Sequence, residues 1–530
     1  MSTTPVKSDQ DFERKITVTQ RSIQMNSSEC FAFFGICLAI FTVFLAPSIT
    51  SNDAGELGAA AFELGIAHPP GFPVFSMLVN GIMNLLGLGD FGFRGNFSSA
   101  VFGAAALSIT FYTLRSRGIG MMEAWTFGLL TVFAPLFTVH MVTVEVYASA
   151  ALTVSVSIEL LLRYLERDDV RFLFLLALVL GIGGLGHHPM IRLVGICFAF
   201  FVLPKSKLKL GITVFGVSLF TGLLTLMYLP IRSNAHPNRD WGSPRTIDGL
   251  LDHVMGQRIR DSYADQMLAW DPEVFSSFAS QLFTSSTVLL LFAVGSLAFT
   301  LREPLIKVFL ALLALDIFYT VWINPMGVRD HQNGWLTTLM LFPIACLGFR
   351  RLKAQSHRLS SLVILLLVPT TVWSAATYAS HEEFSSTNPW AKTLTKTMGR
   401  LAPESLILSA SDSACSVLSF LQVTEANRPD IAVIVRQHAF RASSTEPTFK
   451  RLPVALSGWK PGASLTDLVH LSDEWPLAWE WIDGLDANIK PKTNVMIGPF
   501  MGRAQLSAPL DRRQWQTGVS NGLWSQRPNF

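Results

Sequence analysis

Eleven apolar stretches, each near the length that crosses a bilayer's hydrocarbon core, leave this chain little choice but a bundle of membrane helices. They cover 30–49, 96–114, 121–140, 143–162, 172–186, 190–203, 210–229, 281–301, 305–323, 335–349 and 359–378. Half of the 530 residues are hydrophobic and only 15% are charged, a balance that excludes a soluble single core. The formal charge of +3, without any long basic run, gives no footing for nucleic acid. Residues 1–29 are polar and lack a cleavable signal pattern, so they read as a cytoplasmic segment before a retained signal-anchor. None of the five cysteines has disulfide or zinc spacing.

A further apolar run, 74–88, is decided by loop charge. If it does not span, Lys and Arg clusters at 7–21, 115–117, 163–171, 205–209, 302–307 and 350–358 all face the cytoplasm. If it does span, every cluster after the first moves outside, against the positive-inside bias. The run therefore reads as a re-entrant or interfacial helix on the outer face, within a first outer loop of 50–94, and the membrane domain extends over 30–379.

With that topology, the outer face collects polar groups from distant parts of the chain. Residues 51–73 (SNDAGELGAAAFELGIAHPPGFP) carry Asp53, Glu56, Glu63 and His68. Asp53 and Glu56, three apart, fall near the first turn of a short helix capped at Asn52 or Asp53, and His-Pro-Pro-Gly-Phe-Pro is expected to stop that helix. Later outer loops supply Glu145, then His187, His188 and Arg192, then Arg232, His236, Arg239, Asp240 and Trp241, then Arg329, Asp330 and His331. Taken singly, each has a plain reading: Glu145 as a helix cap, Arg232 as an interface anchor, His188 as a hydrogen-bonding core histidine. Their convergence is the signal, because ionisable groups near membrane depth line cavities and pair with each other or with substrate.

From about 380 to 530 the composition becomes that of a soluble unit on the same outer face. Strands are expected at 405–409, 431–435 and 494–497, with a helix at 411–422, making a small α/β domain. The glycines of 181–186 (GIGGLG) sit within a span and read as a close helix-packing surface, since no nucleotide-binding strand precedes them.

Carboxylates can act as general base on an attacking hydroxyl, and Arg and protonated His can neutralise a departing phosphate. Beside an apolar wall that admits an isoprenoid, this set suits group transfer from a lipid phosphate to an acceptor outside the membrane. The motifs themselves resemble a known group. An acidic loop after a long span, His-Pro-Pro-Gly, an apolar interfacial helix and Arg-x-Asn-x-x-Ser-Ala at 94–100 look like the C-type membrane glycosyltransferases (GT-C). More closely, DAGELGAAAFELGIAHPPGFP, LPIRSNAHPNRDWGSP and LILSASDSACSVLSFLQVTEANRPDIAVI resemble the family of unknown function 2723, which includes animal O-mannosyltransferases acting on plexin-type receptors.

That resemblance implies a mainly α, polytopic GT-C-type bundle of about eleven transmembrane helices plus an interfacial helix. It implies inverting transfer of a mannose-like sugar from a polyprenyl-phosphate carrier in the membrane lipid to a protein or glycan acceptor. It places the base on Asp53, with Glu56 second. The donor phosphate is then expected on His68, His187, His188, Arg192 and Arg232, with Glu145, Asp240, Trp241, Asp330 and His331 around the substrates. No cofactor is required, although a divalent ion bridging Asp53, Glu56 and Glu145 stays open. The rival from another class is a lipid-linked sugar transporter, which needs ionisable residues through the bilayer midplane. The outer side is expected to be bacterial periplasm, or else an endoplasmic reticulum lumen.

Overall fold

The computed structural model describes residues 27–50, 53–186, 188–204, 208–257, 264–300, 304–329, 332–355 and 412–435, with short pieces at 260, 395, 398–399, 403, 406–409, 477–479 and 495–497. Its membrane part contains helices α1 (Ser27–Phe44), α2 (Ala54–Glu63), α3 (Pro73–Leu85), α4 (Phe91–Arg115), α5 (Met121–Val132) and α6 (Val146–Arg167). These are followed by α7 (Val170–Gly186), α8 (Pro189–Val202), α9 (Leu208–Leu226), α10 (Pro272–Thr300), α11 (Pro304–Phe318) and α12 (Trp335–Gln355).

Ten of the eleven apolar runs are helical, and the eleventh, 359–378, lies outside the described residues. Among the described residues seven helices are long and apolar enough to cross a membrane, or eight if one bent pair counts as a span. Helices α7 and α8, on either side of His187-His188, are shorter, with 17 and 14 residues. The run 121–140 departs from the expected straight span. It breaks by 71° between Val132 and Pro135, because proline holds the preceding Ala134 extended, at ψ 112°. The amide freed at Leu136 donates to Ser285 Oγ at 2.8 Å, beside the non-helical Ser286 that kinks α10.

Helix α3 has 13 residues, about 20 Å of rise, which is too short to cross a core of about 30 Å. It buries Phe75, Val79 and Met83 and exposes Met77, Leu78 and Leu85, as an interfacial helix does. Glycines set other contacts. A Cβ on Gly181 would fall 2.2 Å from the Ser218 carbonyl oxygen of α9, so the GIGGLG segment packs helix on helix as its composition suggests.

Asn96 of α4 ties the bundle to two of its loops. Its amide donates to the carbonyls of Ala46 and Ser48 at 3.0 and 2.9 Å and accepts from the Val144 amide at 2.9 Å. The chain leaving α1 and the chain entering α6 are thereby pinned to one buried side chain, and each leads directly to a carboxylate: Asp53 and Glu145.

The C-terminal unit contains β1 (Leu406–Ser409), α13 (Asp412–Glu425), β2 (Ala432–Val435), β3 (Leu477–Trp479) and β4 (Val495–Ile497). Its strands form a parallel sheet in the order β2-β1-β3-β4, and β3 is the strand that the alternation pattern did not reveal. Of the tryptophans in this part of the chain, Trp479 lies on β3 while Trp459, Trp475, Trp481, Trp515 and Trp524 lie outside the described residues. Helix α13 packs against α2.

Candidate active site

Helix α2 carries the acids. Asp53 is its N-cap residue and Glu56 lies in its first turn, as the spacing predicts. Its end differs from the expectation. The helix stops at Glu63, before the prolines, in a Schellman arrangement: Leu64 is left-handed at φ 54°, Gly65 N–H donates to Ala60 O at 2.8 Å, and Leu64 N–H to Ala61 O at 3.3 Å. The remaining carbonyls are taken by side chains. Asn80 donates to Ala61 and Phe62 at 3.0 and 2.8 Å, and Arg232 to Leu64 and Glu63 at 2.7 and 2.9 Å. The helix is closed by hydrogen-bond capture, and the prolines only redirect the chain beyond it.

After α2 the chain returns over the first turn. His68 donates its backbone N–H to Glu56 Oε1 at 2.6 Å, and its Nδ1 lies 2.9 Å from Glu56 Oε2. Arg239 approaches Glu56 Oε1 to 3.6 Å. It is brought there by a strip of pairing between two loops: Ile66 N–H donates to Arg239 O at 2.7 Å and Trp241 N–H to Ile66 O at 3.2 Å. Glu63 accepts from the Asn238 and Arg239 amides. A Cβ on Gly65 would meet Arg239 O at 2.4 Å, so only glycine lets the strips close.

Burial alone would raise the Glu56 carboxyl, but the charges of His68 and Arg239 outweigh it and hold the group down at about 2. Burial alone would lower His68, but the charges of Glu56 and Asp53 win and push it up to about 9. At neutral pH the pair is therefore ionised. Asp53 receives the Gln332 amide on Oδ2 at 3.4 Å. Glu145, buried at the start of α6, is raised well above the ordinary carboxylate range by desolvation and by the Asp53 charge. The centre thus holds two ionised groups of opposite sign on Glu56 and His68, with a second carboxyl at Glu145 that favours its proton.

From Glu145 a row of rings runs into the bundle. Tyr147 lies tilted against His140 at 4.4 Å and against His188 at 5.1 Å between ring centres, and His188 lies 6.3 Å from Tyr319 and 6.4 Å from Trp335. His188 caps α8, accepting the Met190 amide on Nδ1 at 3.2 Å. One turn on, Arg192 donates from Nε to Gly184 O at 2.6 Å, while its Nη2 is buried with no hydrogen-bond partner among the described residues. A guanidinium nitrogen so placed is costly unless an anion meets it.

The expected residues separate into three groups. Asp53, Glu56, His68 and Glu145 come together, and His188 and Arg192 continue the row on the far side of Tyr147. Arg232, Asp240 and Trp241 belong to the loop that closes on α2, but their side chains serve that loop. Arg232 caps α2 as described, Asp240 pairs with Arg245 at 2.7 Å, and Trp241 packs edge-on to His253 at 6.0 Å. His187, Asp330 and His331 lie outside the described residues. Arg239, Gln332, Tyr147 and Tyr319 are not among the residues that the motifs assign to the site. Arg239 stood among the loop's ionisable groups but lacked any spacing that tied it to Glu56; the other three are neutral and gave no charge signal.

Asp53, Glu56 and His68 each offer one ligand atom, all within 4.8 Å of one another. Two carboxylates and an imidazole suit a divalent ion such as manganese or zinc. Binding one requires His68 to give up the proton that joins it to Glu56, so an ion and the ion pair compete for the same lone pairs.

Residues 53–211 match the family model described as the N-terminal domain of protein O-mannosyl-transferase TMEM260. The chain is 26% identical over 447 residues to protein O-mannosyl-transferase TMEM260 of Mus musculus, covering 76% of this chain and 62% of the mouse protein. It is 26% identical over 269 residues to the tmem260 protein of Dictyostelium discoideum, covering 46% of this chain and 32% of that one. This is the family that the first-loop motifs resemble. The chain therefore spans less than two thirds of the length of these relatives. Among solved structures, an Archaeoglobus fulgidus oligosaccharyltransferase in complex with zinc and sulfate aligns with TM-score 0.48 and 11% identity, over 76% of this chain and 62% of that one.

Proposed function

Taking the likeness to protein O-mannosyltransferases as premise, we propose that the chain is a GT-C-type glycosyltransferase of the membrane, using a polyprenyl-phosphate sugar as donor. The sugar is mannose or similar, and the acceptor is a hydroxyl, foremost that of a protein Ser or Thr, on the non-cytoplasmic face. The observation that carries the reading is the convergence of Asp53, Glu56, His68, Arg239 and Glu145 from three separate segments onto one site.

In the reaction, Asp53 accepts the proton of the acceptor hydroxyl while its oxygen attacks the anomeric carbon. The bond from that carbon to the phosphate oxygen breaks, its electron pair leaves with the carrier phosphate, and a single displacement inverts the configuration. Asp53 is favoured over Glu56 because both Glu56 oxygens are already engaged, by His68 and by Arg239. Glu56 and His68 fix the acid loop and offset the charge that builds beside it. His188 and Arg192 are assigned to the carrier phosphate; the buried Nη2 of Arg192 supports this, since a phosphate oxygen would complete it. A divalent ion on Asp53, Glu56 and His68 would supply Lewis-acid assistance, but no step of this mechanism is routed through it.

The test is to incubate the purified protein with radiolabelled polyprenyl-phosphate mannose and acceptor peptide. Labelled peptide and free lipid phosphate are expected, and Asp53→Asn should abolish both while leaving the protein inserted. Label that crosses sealed vesicles without cleavage of the sugar–phosphate bond would replace the reading with transport.

A further inference from the structure

Helix α2 is a weak helix by itself. Ten residues fall below the roughly 12–15 at which isolated helices persist in water. Gly55 and Gly58 each forfeit about 1 kcal/mol of helix propensity relative to alanine. Its last turn is held by Asn80 and Arg232, so its first two turns, which carry the acids, depend on what packs there.

The partner is helix α13 of the C-terminal unit. A Cβ on Gly55 would lie 2.4 Å from the Ser416 carbonyl carbon and 2.6 Å from both the Ser416 oxygen and the Val417 nitrogen. That is backbone against backbone, with no flexible side chain to yield. A Cβ on Gly58 would lie 3.0 Å from two carbons of the Phe420 ring. Ser416, Val417 and Phe420 are all buried. Residue numbers rise together along the two helices, so they run parallel and their N-termini share one end, the end that holds Asp53.

We propose that α13 is the positioning element for the acid helix, acting through Gly55 and Gly58, so that the C-terminal unit belongs to the catalytic apparatus. This rests on the reading of Asp53 as base. Gly55 lies between the two acids, one residue from Glu56 and two from Asp53, so whatever moves the contact moves both carboxylates. A methyl at Gly55 needs about 1 Å of separation to reach ordinary contact, and a displacement of that size at a reacting group costs about a hundredfold in rate. A methyl at Gly58 meets a ring that can tilt, so its effect is smaller.

The experiment compares full-length wild type with Gly55→Ala, Gly58→Ala, Phe420→Leu, the Gly58→Ala/Phe420→Leu double variant and Asp53→Asn. Expected for Gly55→Ala is a fall in kcat of about a hundredfold with donor KM within about twofold, because the carrier site on α8 is untouched. Amide exchange over 54–63 should quicken while that of α4 is unchanged. The double variant should recover part of what Gly58→Ala loses, since the smaller side chain makes room for the methyl. Turnover of Gly55→Ala within about threefold of wild type, in a protein that Asp53→Asn inactivates, overturns the proposal. If Gly55→Ala does not insert, equal turnover of Gly58→Ala and wild type overturns it instead. An active Asp53→Asn protein sinks the base reading separately.

Discussion

Glu56 and His68 titrate in opposite directions from their ordinary values, and this sets a pH window. His68 is raised from 6.5 to about 9, so its share of stability is whole below 6.5 and is lost as pH rises through about 9. Glu56 is lowered from 4.5 to about 2, so its share is whole above 4.5 and is lost as pH falls through about 2. The rate profile should therefore show an alkaline limb near pH 9 that His68→Gln removes, along with much of the rate at neutral pH; an unchanged limb in that variant would assign it to another group. Two arginines provide a second contrast. Arg192→Ala should raise donor KM about tenfold or more, as expected on losing a charged hydrogen bond to phosphate. Arg232→Ala should leave donor KM within about twofold and lower stability by about 1–3 kcal/mol, because its nitrogens cap α2. The reverse pattern in donor titrations would exchange their roles. Both arginines were visible in the sequence as outer-face cations. Which one closes the end of α2 and which lies beside Tyr319 depends on long-range packing that no local spacing records.

At the scale of elements, the site depends on loops held by buried amides. Asn96→Ala would strand the Val144 N–H and the carbonyls of Ala46 and Ser48 together, and should cost about 2–4 kcal/mol, read as a lower Tm in detergent. A Tm equal to that of wild type would mean water replaces all three bonds. Asn96 was legible as part of the Arg-x-Asn-x-x-Ser-Ala element, but its partners lie 48–50 residues away and came only with the fold. Helix ends show the same division. The break before Pro135 has a local cause in proline chemistry although hydropathy read 121–140 as one run, whereas the end of α2 at Leu64 depends on Asn80 and Arg232 taking up the carbonyls beside a non-glycine left-handed residue.

For the whole molecule, orientation and metal dependence are read directly by labelling and by chelation. With the native cysteines replaced, Leu268→Cys should react with an impermeant maleimide from the non-cytoplasmic side, and Met121→Cys only after the membrane is opened; the reverse would invert the loop-charge topology. Dialysis against EDTA should leave turnover unchanged, because the proposed step uses side chains alone. Activity lost on chelation and restored by manganese or zinc would instead put an ion on Asp53, Glu56 and His68.

Hydropathy alone determined that this is a many-helix membrane protein, since apolar runs of this length satisfy their backbone in lipid as helices, and loop charge gave the expectation of an outer face rich in acids and histidines opposite a basic inner one. Local spacing also put Asp53 and Glu56 on the first turn of one short helix. Only the tertiary structure brought Arg239 to Glu56, aligned Tyr147 between two imidazoles and laid α13 along α2. Periodicity and charge act over a few residues and can be read along the chain. Pairing across tens or hundreds of residues is chosen by packing, where the space left by a glycine matters as much as any charge.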